Sequence, residues 1–308
     1  MKRKLVKQGP QSLVVSLPAY WLKKNHLKKG NEVEIDEISN NLVISGKEVI
    51  EKKIKEDYIL NIEEMDDYLI KRYLTTLYVQ GYEEIIIKFS KKKITELKKG
   101  KKIEIENFIS KLTQRFIGME ILTSEKNKIV LKCFTALNPE ELKNVQRRTF
   151  LLILNFMDNI FDENFNKNLA HDNIAKFINY FFRILNASPE TSLKNKELLY
   201  SFFVVQDKLV DYLRHIHDEL HKNRVSKRVK MYIKEVFSLY KDMYKLFYKF
   251  SDTKKIVTKR YELVNKLSKM RLTNGETRVL FEVKFILEII NSFTEVAIAR
   301  QGLLSSGN

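Results

Sequence analysis

Between Gly118 and Gly275 the chain contains no glycine, and only Pro139 and Pro189 interrupt that stretch with proline. So long a run with almost no helix breakers, and with apolar residues recurring at three- and four-residue steps, predicts helices. The spacing places them near 139–163, 171–186, 193–222, 225–250, 254–270 and 275–300. Asn138-Pro139-Glu140-Glu141 is a helix start, with Asn138 as cap and proline where its missing N–H leaves nothing unpaired. Pro189 and Gly275 punctuate the series. Six helices with short connections fit an antiparallel bundle, here residues 138–301.

The other half of the chain reads differently. Lys2-Arg3-Lys4-Leu5-Val6-Lys7-Gln8-Gly9-Pro10-Gln11-Ser12 opens a stretch with eight Lys or Arg before the first acidic residue, Glu32. Gly9-Pro10 is a turn signal. Leu13-Val14-Val15-Ser16-Leu17 reads as a short buried strand, and Pro18 suits the first turn of a short helix from Ala19 to about Asn25. Gly30 marks the exit turn after His26-Leu27-Lys28-Lys29. Val33-Glu34-Ile35-Asp36 and Leu42-Val43-Ile44 flank the polar Ser39-Asn40-Asn41 and form a hairpin. A unit this small, residues 1–47, lacks cysteine and seldom builds a sufficient core alone. Two copies sharing one β-core are expected, with two basic Lys2–Ser12 edges side by side.

Val6-Lys7-Gln8-Gly9-Pro10-Gln11-Ser12-Leu13-Val14-Val15-Ser16-Leu17-Pro18, then Trp21, then Leu27-Lys28-Lys29-Gly30-Asn31-Glu32-Val33, resembles the AbrB/SpoVT type of DNA-binding domain. Asn31 stands where that family often has Asp. The resemblance implies a swapped-hairpin β domain that dimerises and presents its basic arms to DNA. Lys2, Arg3, Lys4, Lys7, Gln8, Gln11 and Ser12 would then meet DNA, with Lys23 and Lys24 as further phosphate contacts. The competing reading is a dimerisation module whose lysines only keep it soluble.

Gly46 to Asp57 is charged and polar, a linker. Beyond it, strand Tyr58–Ile62, helix Met65–Tyr78, strand Ile85–Ile87, a helix carrying Phe108, Ile109, Leu112 and Phe116, and a closing hairpin around Glu125-Lys126-Asn127 give a small α/β domain over 57–136. Leu69, Tyr73, Leu77, Ile70 and Leu74 share one side of its first helix. Lys91-Lys92-Lys93 and Lys98-Lys99-Gly100-Lys101-Lys102 read as a solvated basic connection. Cys133, the only cysteine, lies in an apolar run and reads as a small buried hydrophobe, which fits a reducing cytoplasm.

Within the helical half, Phe202, Leu209, Leu213, Ile216 and Leu220 make a seam of heptad spacing, and Val279, Val283, Ile286, Ile290, Phe293 and Ala297 make another. Aligning Leu209 with Ile286 maps Asp211 onto Glu288 and Asp218 onto Glu295. Two amphipathic helices can align this well without common origin; the sharper reading is two copies of a three-helix unit. Leu213-Arg214-His215-Ile216-His217-Asp218 and Leu287-Glu288-Ile289-Ile290-Asn291-Ser292 resemble the repeated element of PhoU, the regulator of phosphate uptake and signalling. PhoU units preceded by an AbrB-like domain are an archaeal arrangement. The resemblance implies metal held by acids; here Asp211, His215, Asp218, Glu288 and Glu295 are the candidate ligands. Each copy keeps one acid of the family's pair, with Arg214 and Ser292 in the other places. A guanidinium beside such a site repels the cation it should hold. His217 and His221 stand one helical turn apart, a spacing open to a transition metal or to a solvated helix end.

With 56 Lys and Arg against 39 Asp and Glu, the net charge is +17, which favours nucleic acid or another anionic partner. No Gly-rich phosphate loop, GxSxG or HExxH occurs, so no enzyme is expected. No apolar core follows Lys2-Arg3-Lys4, and no run is long enough to cross a membrane, so a cytoplasmic protein without membrane insertion is expected. The whole reads as a multidomain α+β chain: a dimeric DNA-binding regulator of the PhoU type. The alternative is an adaptor that acts on a phosphate transporter or signalling partner through its bundle.

Overall fold

The computed structural model describes residues 2–10, 12–38, 41–46, 57–187, 196–248 and 253–305. The chain divides into two compact units, Met1–Ile54 and Lys55–Asn308.

In the first unit, β1 (Val6–Lys7) pairs antiparallel with β2 (Leu13–Val14), Val6 opposite Val14 and Lys7 opposite Leu13. Gly9 makes the turn between them at φ 87°, and the Gln8 amide donates to the Ser12 carbonyl. Pro18 stands at the cap of α1 (Ala19–Lys24), and its carbonyl accepts the Trp21 and Leu22 amides. The helix ends with His26 in the left-handed region at φ 54°. Leu27 N–H reaches the Leu22 carbonyl and His26 N–H the Lys23 carbonyl, the paired bonds that close a helix around a left-handed residue. Asn31 Oδ1 accepts the Lys28 amide at 2.7 Å, an acceptor role that Asn fills as well as Asp. β3 (Val33–Ile38) and β4 (Asn41–Gly46) form the hairpin expected from the alternation. Ser39 and Asn40 of the expected turn, most of the 46–57 linker, and Pro189 lie outside the described residues.

One expectation fails here. The Leu13–Leu17 run is not buried: only Leu13 and Val14 are strand, and Leu13, Val14 and Val15 are 63 %, 39 % and 44 % exposed. Among the described side chains of the first unit none is buried. Two two-stranded ladders and a six-residue helix do not stack enough apolar surface to make a core from one chain.

The second unit begins with a four-stranded sheet, order β5-β6-β10-β9. β5 (Tyr58–Asn61) runs parallel to β6 (Glu84–Lys88), joined through α2 (Asp67–Val79). β9 (Met119–Glu125) and β10 (Lys128–Cys133) close it as an antiparallel hairpin. Between β6 and β9 lie a separate hairpin, β7 (Lys93–Glu96) with β8 (Lys101–Glu104), and α3 (Ile105–Thr113). The two lysine runs therefore belong in part to a paired hairpin and not to an irregular connection; Ile94 is buried beneath it. On α2 the buried stripe is Ile70, Leu74, Leu77 and Tyr78, while Leu69 and Tyr73 are exposed, so the expected apolar side is rotated. Gly118, after α3, has φ 78°, and a Cβ there would lie 2.0 Å from Thr135 Oγ1, which excludes larger residues. Cys133 is half-buried with a free thiol.

The helices follow as expected, with small shifts of their ends. Asn138 Oδ1 caps a 3-10 turn at Pro139–Glu141 by accepting the Glu140 amide. Then come α4 (Leu142–Asp158), α5 (Lys167–Ala187), α6 (Lys196–Lys222), α7 (Lys227–Tyr248), α8 (Thr253–Ser268) and α9 (Asn274–Ser305). The seams of α6 and α9 face each other: the Phe202 and Phe293 rings lie 4.3 Å apart, and Tyr212 stacks on Phe285 at 4.8 Å. At the start of α9, Thr273 and Glu276 cap one another, Thr273 N–H donating to Glu276 Oε2 and Glu276 N–H to Thr273 Oγ1. Glu276 Oε1 also accepts the Ser226 amide ahead of α7; hydrogen bonding from the Ser226 side chain foremost, then from the Thr273 amide, pulls its carboxyl down to about 2. Gly275 is needed because Asn223 Oδ1 sits 2.7 Å from where its Cβ would be.

Sheet and helices are joined through Arg183 of α5. Its side chain is 1 % exposed and its Nη1 donates to the carbonyls of Tyr78 at 2.5 Å and Tyr82 at 3.0 Å. The guanidinium lies 4.7 Å from the Tyr78 ring centroid, and Asn186 Nδ2 donates to the Val79 carbonyl. A cation is thus buried against the carbonyl end of α2, where the helix dipole is negative and carbonyls lack helical partners.

Candidate nucleic-acid interface

Lys2, Arg3 and Lys4 precede β1, and all three are exposed. Lys7 closes β1 and Gln8 opens the turn, both exposed, with Ser12 just across that turn. The β1–β2 ladder therefore brings Lys7, Gln8 and Ser12 to one end of one ribbon. Gln11 lies outside the described residues. Lys23 and Lys24 occupy the last turn of α1 and are exposed. Cations at a helix C-terminus are favoured by the dipole, so these two have a structural reason to be there as well. The same unit exposes Leu5, Val6, Leu13, Val15, Ile35 and Leu42, from 44 % for Val15 to 69 % for Leu42. Apolar exposure of this density in so small a unit marks an association surface.

The carboxylates singled out for metal are engaged elsewhere. Asp211 Oδ1 meets His171 Nε2 at 3.3 Å and Arg214 at 3.1 Å. Asp218 pairs with Lys167, and His215 faces Glu282 at 3.8 Å. Glu288 is bound by Arg260 at 2.6 Å, and Glu295 accepts from Asn291 at 3.0 Å. Asp211, His215 and Asp218 thus turn to three different neighbours. Among the described residues, no group of three or more His, Cys, Asp or Glu gathers closely enough to hold a metal ion. A donor set whose members are already matched to cations or amides does not fit a hard-metal centre.

His217 and His221 do come together, with ring centroids 4.1 Å apart and planes 33° from parallel. Lone pairs of imidazoles lie in the ring planes, so near-stacked rings do not aim them at one ion. His217 Nε2 sits 3.2 Å from the Asp162 carbonyl, and burial pushes its ionisation below the ordinary 6.5.

The cluster that sequence reading missed centres on His171. This residue, 8 % exposed, sits between Asp172, 3.1 Å from Nδ1, and Asp211, 3.3 Å from Nε2. Arg115 binds Asp172 and Arg214 binds Asp211, so cations and anions alternate across five side chains. Burial alone would lower the imidazole's ionisation, but the two carboxylates reverse this and raise it above 6.5. The imidazole in turn holds Asp211 below its usual range; for Asp172, burial acts upward and His171 and Arg115 outweigh it. The adjacent His171-Asp172 pair is visible in the chain, but Asp211 and Arg115 join it only through packing.

Residues 6–57 match the family described as "Antidote-toxin recognition MazE, bacterial antitoxin". That match covers the turn, α1 and the hairpin, and it supports a MazE/AbrB-like N-terminal segment. No curated protein and no solved structure matches the chain. No helix among the described residues is long and apolar enough to cross a membrane.

Proposed function

We propose that this chain is a DNA-binding regulator that dimerises through residues 1–47 and meets DNA with Lys2, Arg3, Lys4, Lys7, Gln8, Gln11 and Ser12. The MazE-family match over residues 6–57 carries this reading. Eight cations ahead of the first acid, and the exposed apolar residues of both hairpins, agree with it. A second chain would cover the apolar surface and set two basic ribbons beside each other.

The same match favours one further reading, an antitoxin-type role in which the chain recognises a protein partner. Phosphate uptake as the regulated process, and the adaptor reading with it, rests on the likeness of 213–218 and 287–292 to the PhoU element. The ion pairs at Asp218 and Glu288 add nothing to that likeness.

The test is a DNA-binding titration at several salt concentrations, intact chain against Lys4→Ala/Lys7→Ala/Gln11→Ala. Binding that falls steeply with salt and is lost in the triple variant supports the proposal. Weak binding that the variant leaves unchanged contradicts it and moves the search to protein partners.

A further inference from the structure

A cleft of about 370 Å³ opens between α2, the β7–β8 hairpin, α3 and the start of α5. Its walls carry four cations, Lys71, Lys99, Lys111 and Arg115, and four acids, Asp67, Glu96, Glu104 and Asp172. The count is even, but the pairing is not. Asp67 Oδ1 accepts the Leu97 amide at 2.9 Å. Glu96 is matched by Lys99 at 2.8 Å, and Glu104 by Lys93, from the partner strand, at 3.2 Å. Asp172 holds both Arg115 and His171. All four acids are committed, whereas neither Lys71 nor Lys111 has an ion-pair or hydrogen-bond partner among the described residues.

Lys71 is half-buried, which makes an unmatched ammonium there unfavourable. Burial, then the neighbouring Arg115 guanidinium, hold its ionisation below the usual range, with Asp172 acting the other way. The rest of the wall is Asn107 and three apolar side chains, Ile103 and Phe108, both half-buried, and Leu112. On α3 the residues Phe108, Lys111 and Leu112 fall at helical spacing, which places the aromatic ring and one cation on one wall, with Arg115 in the turn just after the helix.

We propose that this cleft binds a small aromatic phosphate of mononucleotide size, its phosphate on Lys71 and Lys111 and its flat body against Phe108 and Leu112. The volume lies in the range of ordinary small-ligand pockets, and an apolar wall with a few convergent charges is their usual lining. The cleft lies wholly within the second unit, so the inference stands apart from DNA binding by the first.

Calorimetric titration of the intact chain with the four nucleoside 5′-monophosphates, with inorganic phosphate and with adenosine tests it. At least one monophosphate should bind saturably in the micromolar to millimolar range, more tightly than inorganic phosphate, with adenosine weaker still. Lys71→Gln and Lys111→Gln should each weaken that binding by about fivefold, the gain expected of one modestly desolvated charge pair. Lys111 is exposed, so Lys111→Gln should keep the parent's thermal unfolding midpoint, and Lys71→Gln, which removes an unmatched half-buried ammonium, should not lower it. No saturable binding by any monophosphate would overturn the proposal. So would binding that both variants retain in full, or inorganic phosphate binding as tightly as every monophosphate.

Discussion

In the first unit no described side chain is buried, and eight cations pass before an acid appears. In the second, a guanidinium is buried to 1 % exposure, and carboxylates from Glu84 to Glu288 are matched to cations. The second unit uses its ions to hold itself together. The first leaves charge and apolar surface facing outward, which a chain of this size tolerates only when something else covers them. Net charge does not locate this division: of the +17, residues 1–54 carry 11 Lys and Arg against 6 acids, +5, and residues 55–308 carry 45 against 33, +12.

The largest effect that would break the comparison is at Arg183. If the second unit depends on its buried cation, Arg183→Met should destabilise it by about 3 kcal/mol, since the carbonyls of Tyr78, which keeps the Gly81 amide, and Tyr82 each lose a charged donor in a dry site. Urea unfolding of the intact chain checks this; a change under about 1 kcal/mol would mean the joint between α2 and α5 is held by apolar packing alone. Next in size is His171. Its ionisation is raised in the folded chain, so its contribution is full below about 6.5 and disappears as pH rises through the higher folded value. His171→Gln should remove about 1–2 kcal/mol at pH 6 and less at pH 8, seen as a flattened stability profile between those pH values. A variant that loses the same stability at both would show the imidazole acting as a neutral spacer. The smallest effect is in the first unit, where His26 holds a left-handed position that glycine fills without strain. His26→Gly should raise amide-exchange protection at Leu27, whose N–H closes α1, by about two- to fivefold. Lower protection would mean the His26 side chain itself stabilises that turn.

Local signals carried most of the fold. The missing glycines announced the helices, Asn138-Pro139 announced α4, and β-branched runs such as Ile85–Ile87 announced the sheet. The β7–β8 hairpin escaped because its strands are four residues each and mostly Lys, Glu and Thr, with Ile94 and Ile103 as the sole apolar pair. The face of α2 was misjudged because both Leu69 and Ile70 satisfy an apolar count, and only packing decides which of two adjacent stripes turns inward. The basic arm was legible because its signal is contiguous. The His171 cluster was not, since its members come from the turn after α3, from α5 and from α6, and nothing in a single sequence links Arg115 to Asp172 or His171 to Asp211.

On the proposed function, the acid-free cations of the first unit, and not the basic excess of the chain as a whole, meet DNA. The most direct measurement is the slope of log affinity against log salt for three proteins: the intact chain, Lys2→Ala/Lys4→Ala/Lys7→Ala, and a control with three exposed lysines of the second unit replaced, Lys143→Ala/Lys227→Ala/Lys241→Ala. Each lost phosphate contact should lower the slope by about 0.9. The slope should fall by about 3 per chain in the first variant and stay unchanged in the control. Equal losses in the two variants would contradict it, because DNA would then be reading net charge wherever it lies.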